Sequence, residues 1–155
     1  MKHDPYINRT YEKIEKALEF YGSRIFKTIG WAEHVYSYST QEHLRQPPAE
    51  ALLQPIAPET SWGGEYSNLW LCTALTVPNE ADGRILCAIP EADAVEILCF
   101  KNGIPAGIIN SKNQFIGGAH SAMFIDAHAQ AGEHITLAFD CYAGHDCLGT
   151  SPHDN

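Results

Sequence analysis

The sequence predicts a mainly β protein, an antiparallel β-sandwich or jelly roll with one N-terminal α-helix. Three observations carry this. Between Leu69 and Tyr142 apolar residues recur with period two in about six short runs, the alternation expected of strands. Those runs start about ten residues apart and are separated by Gly-, Asn- and Asp-bearing turns, the spacing of sandwich folds. Near the N-terminus, one segment instead repeats its apolar residues with helical spacing.

That helix is predicted from about Thr10 to Tyr21, with Thr10 as N-cap and Glu12 in the first turn, where the helix dipole favours a carboxylate. Ile14, Leu18, Tyr21 and Ile25 form its apolar stripe, Glu12 and Lys16 can pair on the wet face, and Gly22 ends or weakens it. From Trp31 to Gly64, Val35-Tyr36-Ser37-Tyr38 reads as a strand fragment. Pro47-Pro48, Pro55 and Pro58 then predict a long irregular surface loop, because each removes an amide donor and fixes φ. The loop ends in Trp62-Gly63-Gly64, a large aromatic beside two flexible residues that either meets a neighbouring surface or plugs the edge of its own core.

Leu69 to Val77 reads as a strand covered on both faces, which places Trp70 in the core. Pro78 and Glu80-Ala81-Asp82-Gly83 stop it; strands follow at Arg84–Ile89 and Ala94–Phe100. Asn102-Gly103 supplies the two positive-φ positions of a type I′ turn, so Ile104–Ile109 folds back as a hairpin partner. Pro105 and Gly107 put that partner at an edge or bend it. After a turn at Gln114–Gly118 come a short strand, Ala122–Ile125, and the cleanest alternation in the chain, His134–Tyr142. There Ile135, Leu137, Phe139 and Cys141 share one face. The expected organisation is a helical segment, residues 1–30, and a sandwich, residues 31–155, in a single domain overall.

The chain has 155 residues, 45% of them hydrophobic, enough to bury a core without staples. Nineteen acidic against ten basic residues give a net charge of −9 with no basic patch, which argues against nucleic acid and anionic membrane as partners. The first ten residues lack the apolar region of a secretory signal, and no run approaches the roughly 20 apolar residues of a membrane span, so the expected location is the cytoplasm. Five cysteines, four within apolar runs, are then expected to stay reduced.

Eight histidines raise the question of a metal. Cys141, His145, Cys147 and His153 lack the paired spacing that brings two ligands onto one ion, and His120, His128 and Glu133 lack the H-x-H pair of a cupin-like pocket. The G-x-S-x-G elbow and the phosphate-loop contexts are absent, and no surrounding charge activates Cys147. Glu91, Asp93, Asp126, Asp140 and Asp146 read as solvated carboxylates at turns and strand ends. No catalytic, cofactor-binding or metal residue is assigned from these patterns. Trp31, Trp62 or Trp70 could stack on a sugar if exposed.

Several segments taken together resemble the non-catalytic N-terminal region of bacterial and cytosolic α-mannosidases of glycoside hydrolase family 38. They are the helix Tyr11–Tyr21 with Arg24-Ile25, Trp62-Gly63-Gly64, Leu69-Trp70-Leu71-Cys72 running into Leu75-Thr76-Val77-Pro78, Phe100 to Gly107, and Asp140-Cys141-Tyr142-Ala143-Gly144-His145. Cys141 departs from the small residue the family more often carries before the aromatic. The resemblance implies a galactose-binding-like jelly-roll sandwich that precedes a catalytic domain. It also implies that the zinc ion, the aspartate nucleophile and the Gly-His-x-His-Ile-Asp-like motif of retaining α-mannoside hydrolysis belong to that downstream domain, so this chain is expected to be inactive alone and to hold no cofactor.

Expected partners are the mannosidase catalytic domain and a second subunit, with Trp62, Gly63, Gly64, Gly144 and His145 as candidate inter-domain contacts. Two other readings stay open: a free-standing carbohydrate-binding module, and a small metalloenzyme using the scattered histidines.

Overall fold

The computed structural model describes residues 5–110 and 122–144. The predicted turn at Gln114–Gly118 and the residues His120, His145, Cys147 and His153 fall outside them. Contacts divide the chain into two compact units, Met1–Trp31 and Ala32–Asn155.

The first unit is one helix, α1, Pro5–Ile25, which extends past both predicted ends. Pro5 starts it at no cost, because the first turn leaves its N–H groups unpaired anyway and proline presets φ. Thr10 is therefore interior and not the cap, and the helix runs through Gly22, whose price of about 1 kcal/mol relative to Ala weakens a helix without ending it. Ile7, Tyr11, Ile14, Leu18, Tyr21 and Ile25 are all exposed.

The second unit is built of antiparallel sheets. Its strands are β1 (Val35–Thr40), β2 (Gln54–Pro55), β3 (Asn68–Thr76), β4 (Leu86–Ala88), β5 (Glu96–Lys101), β6 (Ile104–Ile109), β7 (Met123–Asp126) and β8 (His134–Tyr142). Six of them form one sheet in the order β2-β1-β3-β8-β5-β6, and β4 pairs with β7 in a second sheet. Mainly β with antiparallel sheets and one helix among the described residues, the architecture agrees with a β-sandwich.

Both edge strands of the large sheet carry a proline, Pro55 in β2 and Pro105 in β6, where a missing N–H faces away from the ladder. The β5–β6 register shifts between Cys99 and Phe100, so Pro105 and Gly107 mark a bulge as well as an edge. The hairpin between them turns through Asn102 (φ 52) and Gly103 (φ 74), as type I′ requires. Asn102 also stitches the turn to β8: its N–H donates to the Thr136 carbonyl and its Oδ1 accepts the Thr136 N–H, both at 2.9 Å. Asn102→Gly keeps the left-handed backbone and removes the bonds that Oδ1 accepts from the Thr136 N–H and, at 3.4 Å, from its hydroxyl, so a loss of about 1 kcal/mol is expected in urea unfolding.

Strand β8 lies centrally and its two faces lead to different places. Ile135, Leu137, Phe139 and Cys141 are buried, as are Leu69, Ile97, Cys99 and Ile109 in register with them on neighbouring strands. Lys101 shares this face, and its Nζ donates to the Ile125 carbonyl (3.2 Å) and pairs with Asp126 (3.3 Å), which puts the β4–β7 sheet over it. The His128 amide, followed by Lys101, holds the Asp126 carboxyl below its usual range. On the opposite face Trp70, Phe100 and Ala138 form a second apolar cluster, with Tyr38, Leu44, Cys72 and Leu98 packed against it.

Candidate functional site

The second face changes character toward one end of the sheet. Beside the Trp70 cluster the cross-strand rows read Trp70–Asp140–Leu98 and then Asn68–Tyr142–Glu96, so alternation carries polar side chains onto a surface begun by apolar ones. With His43 from the loop after β1, these residues line a recess of about 270 Å³: His43, Asn68, Glu96, Leu98, Asp140 and Tyr142. The His43 and Tyr142 rings lie 6.0 Å apart at 58°. Asn68 is buried, and its Nδ2 stands 3.4 Å from His43 Nδ1, within hydrogen-bond reach when that nitrogen is unprotonated.

Asp140 is the chemical centre of this recess. Burial pushes its carboxyl up to about 6, against an opposing pull from His43. Its Oδ1 and the Nε1 of Trp70, directly across the β3–β8 ladder, are buried without a hydrogen-bond partner among the described residues. The expectation of a solvated Asp140 is thus corrected: it sits in mid-sheet beside a buried tryptophan, not at an exposed strand end. Such a recess can accept hydrogen bonds from hydroxyl or amine groups and hold one proton that is exchanged near pH 6.

A second recess, of about 350 Å³, shares Asn68 as a wall and is lined also by Trp62, Gly63, Thr40, Gln41 and Ser61. Its loop is fixed by backbone bonds. Ser67 N–H donates to Gly64 O (3.1 Å), Tyr66 N–H to Gly144 O (2.9 Å) and Ala143 N–H to Ser67 O (2.9 Å). Gly144 is thus bonded to Tyr66, two residues past Gly64, while Trp62 and Gly63 line the recess; His145 lies outside the described residues. Gly64 (φ 98) and Gly144 (φ 101) occupy the left-handed region, and Tyr66 joins them at φ 59, a conformation that costs a non-glycine residue roughly 1–2 kcal/mol.

Cys72, Cys87, Cys99 and Cys141 are free thiols, and burial pushes Cys72 and Cys99 up to about 11 and Cys141 higher still, which disfavours the nucleophilic thiolate at these three. Among the described residues no group of three His, Cys, Asp or Glu side chains is arranged to hold a metal ion, and His128 is exposed. No helix among them is long and apolar enough to cross a membrane. The sequence reading missed His43 and Asn68; the signal for Asn68 was a polar residue opening a strand otherwise covered on both faces. Comparisons with protein-family models, with curated proteins and with solved structures gave no match.

Proposed function

We propose that this chain is the non-catalytic, N-terminal domain of a family 38 α-mannosidase, a jelly-roll sandwich of galactose-binding type. On this reading it works in the cytoplasm and docks onto the zinc-bearing catalytic module that hydrolyses terminal α-mannosides. One observation carries the reading: the outer side of the β4–β7 sheet is apolar and, among the described residues, uncovered. Phe124, opposite Cys87, is 54% exposed, and Ile85 and Ile89, which flank β4, are 70% and 50% exposed. An uncovered apolar surface of this kind is what a domain presents to a neighbour. The glycine corner of Trp62, Gly63, Gly64 and Gly144 supplies a second, more polar contact.

The expected result is that the chain alone releases no nitrophenol from an aryl α-mannoside in the presence of zinc, yet binds a separately produced family 38 catalytic module. Phe124→Glu is expected to abolish that binding. Hydrolysis by the chain itself, or binding indifferent to Phe124→Glu, overturns the reading.

A second reading, a carbohydrate-binding module, is favoured by the Trp62 recess, where an indole stands beside Thr40, Gln41, Ser61 and Asn68. Calorimetric titration with methyl mannosides and galactosides decides it: heat that disappears in Trp62→Ala supports sugar binding, and its absence in the wild type removes the idea.

A further inference from the structure

Six large apolar residues of α1 are spaced more regularly than a core-facing helix needs; Phe20, 53% exposed, lies off their line. Ile7, Tyr11, Ile14, Leu18, Tyr21 and Ile25 follow one another at intervals of four, three, four, three and four residues, an unbroken heptad repeat of a and d positions. All six are exposed, from 49% at Ile14 to 68% at Leu18 and Ile25. The positions beside the seam, Asn8, Thr10, Glu15 and Ala17, are short or polar, so the stripe is narrow. A seam of period 3.5 stays in contact with a second helix wound around it, whereas a helix lying on a sheet or a globular core presents a wider face of period 3.6.

Among the described residues the chain has no other α-helix to offer this seam. The seam also reads the same from either end: isoleucine, tyrosine, aliphatic, aliphatic, tyrosine, isoleucine, with palindromic spacing. We propose that α1 is a dimerisation element that pairs antiparallel with α1 of a second copy of this chain. Ile7 then layers on Ile25, Tyr11 on Tyr21 and Ile14 on Leu18, so every layer joins side chains of matching size across a two-fold axis. At 21 residues the helix gives three heptads, roughly 30 Å of contact. A helix of this length draws its stability in water largely from packing its apolar face, which the second copy provides. The inference goes beyond the docking of the β-sheet unit and uses a different surface.

The test is the mass of the full chain in sedimentation equilibrium over a wide concentration range. The wild type is expected to reach twice the mass of one chain, the Ile14→Glu, Leu18→Glu double variant to remain monomeric, and Lys16→Glu, off the seam, to behave as wild type. Ile7→Glu and Ile25→Lys are each expected to weaken the dimer about tenfold or more by placing a charge in an end layer. Combined in one chain they are expected to restore it, because only the antiparallel pairing sets each glutamate against a lysine. Fluorescence of Trp62 and Trp70, read in a Trp31→Phe background and unchanged in every variant, excludes unfolding of the β unit as the cause, and recovery of the dimer in the charge pair excludes loss of the helix. A wild type monomeric throughout, a dimer dissociated by Phe124→Glu but not by the seam variants, or failure of the charge pair to rescue overturns the proposal. Loss of dimers with catalytic-module binding intact leaves the functional reading standing.

Discussion

Trp70→Ala is expected to lower the unfolding free energy by about 3–5 kcal/mol, the range for deleting a buried aromatic side chain. Trp70 is completely buried, and its ring centroid lies 5.4 Å from that of Phe100, itself only 2% exposed. Together with Ala138 they form the apolar part of the second face, which Leu44 covers from an irregular loop. A void left there has little to fill it, because the ladder partners of Trp70 are Tyr38, already packed on the cluster, and Asp140, whose charge resists an apolar cavity. For a chain of this size the melting temperature should fall by roughly 10 °C. Phe100→Ala should cost a similar amount. The double variant should cost less than the sum of the two, because each single change already removes their mutual contact. A loss below about 1 kcal/mol in urea unfolding of Trp70→Ala would mean that this face is not a packed core.

The importance of this cluster explains what could be read from the chain and what could not. β8 occupies His134–Tyr142, the span its alternation predicts, because the buried residues Ile135, Leu137, Phe139 and Cys141 punish any register slip. The Asn102-Gly103 turn and the edge position of β6 follow from backbone chemistry local to a few residues, and both are present. The ends of α1 were less legible: Thr10 is a good cap and Gly22 a plausible stop, but neither overrides a periodic pattern that continues on both sides. The recess was not legible at all. Alternation tells which face Asp140 occupies, not what covers that face, and the residues that approach it there, His43 and Leu44, come from a stretch with no period to read.

Likewise the approach of the loop that follows Trp62-Gly63-Gly64 to Gly144 depends on two backbone hydrogen bonds, from Tyr66 to Gly144 and from Ala143 to Ser67, that join segments about half the chain apart. Two glycines and a tryptophan mark that loop as unusual in sequence. Its partner could be found only once β3 and β8 were known to pair, since their register brings Asn68 opposite Tyr142 and so carries both flanking loops to the same corner.

Asp140→Asn is expected to stabilise the protein above pH 7 and to leave it unchanged at pH 4. Burial raises the folded-state pKa of Asp140 from 3.8 to about 6, so between those values the folded chain binds more protons than the unfolded one. Stability contributed by the protonated carboxyl is complete below about pH 4, declines as pH rises through about 6, and is gone above about pH 7. A shift of about two units corresponds to roughly 3 kcal/mol; because the group is only partly buried, screening by solvent reduces the expected effect to about 2 kcal/mol. The asparagine has nearly the same shape and no charge to desolvate, so its advantage over wild type should open through that interval and then stay constant. Melting temperatures of both proteins from pH 4 to 8 measure it. Parallel curves would show that the Asp140 carboxylate is as well solvated in the folded chain as in the unfolded one, and Asp140 would then not hold a proton near pH 6. Asn68 and His43 border the same space, so His43→Gln should push the midpoint of the wild-type decline upward by removing the group that favours the ionised carboxylate.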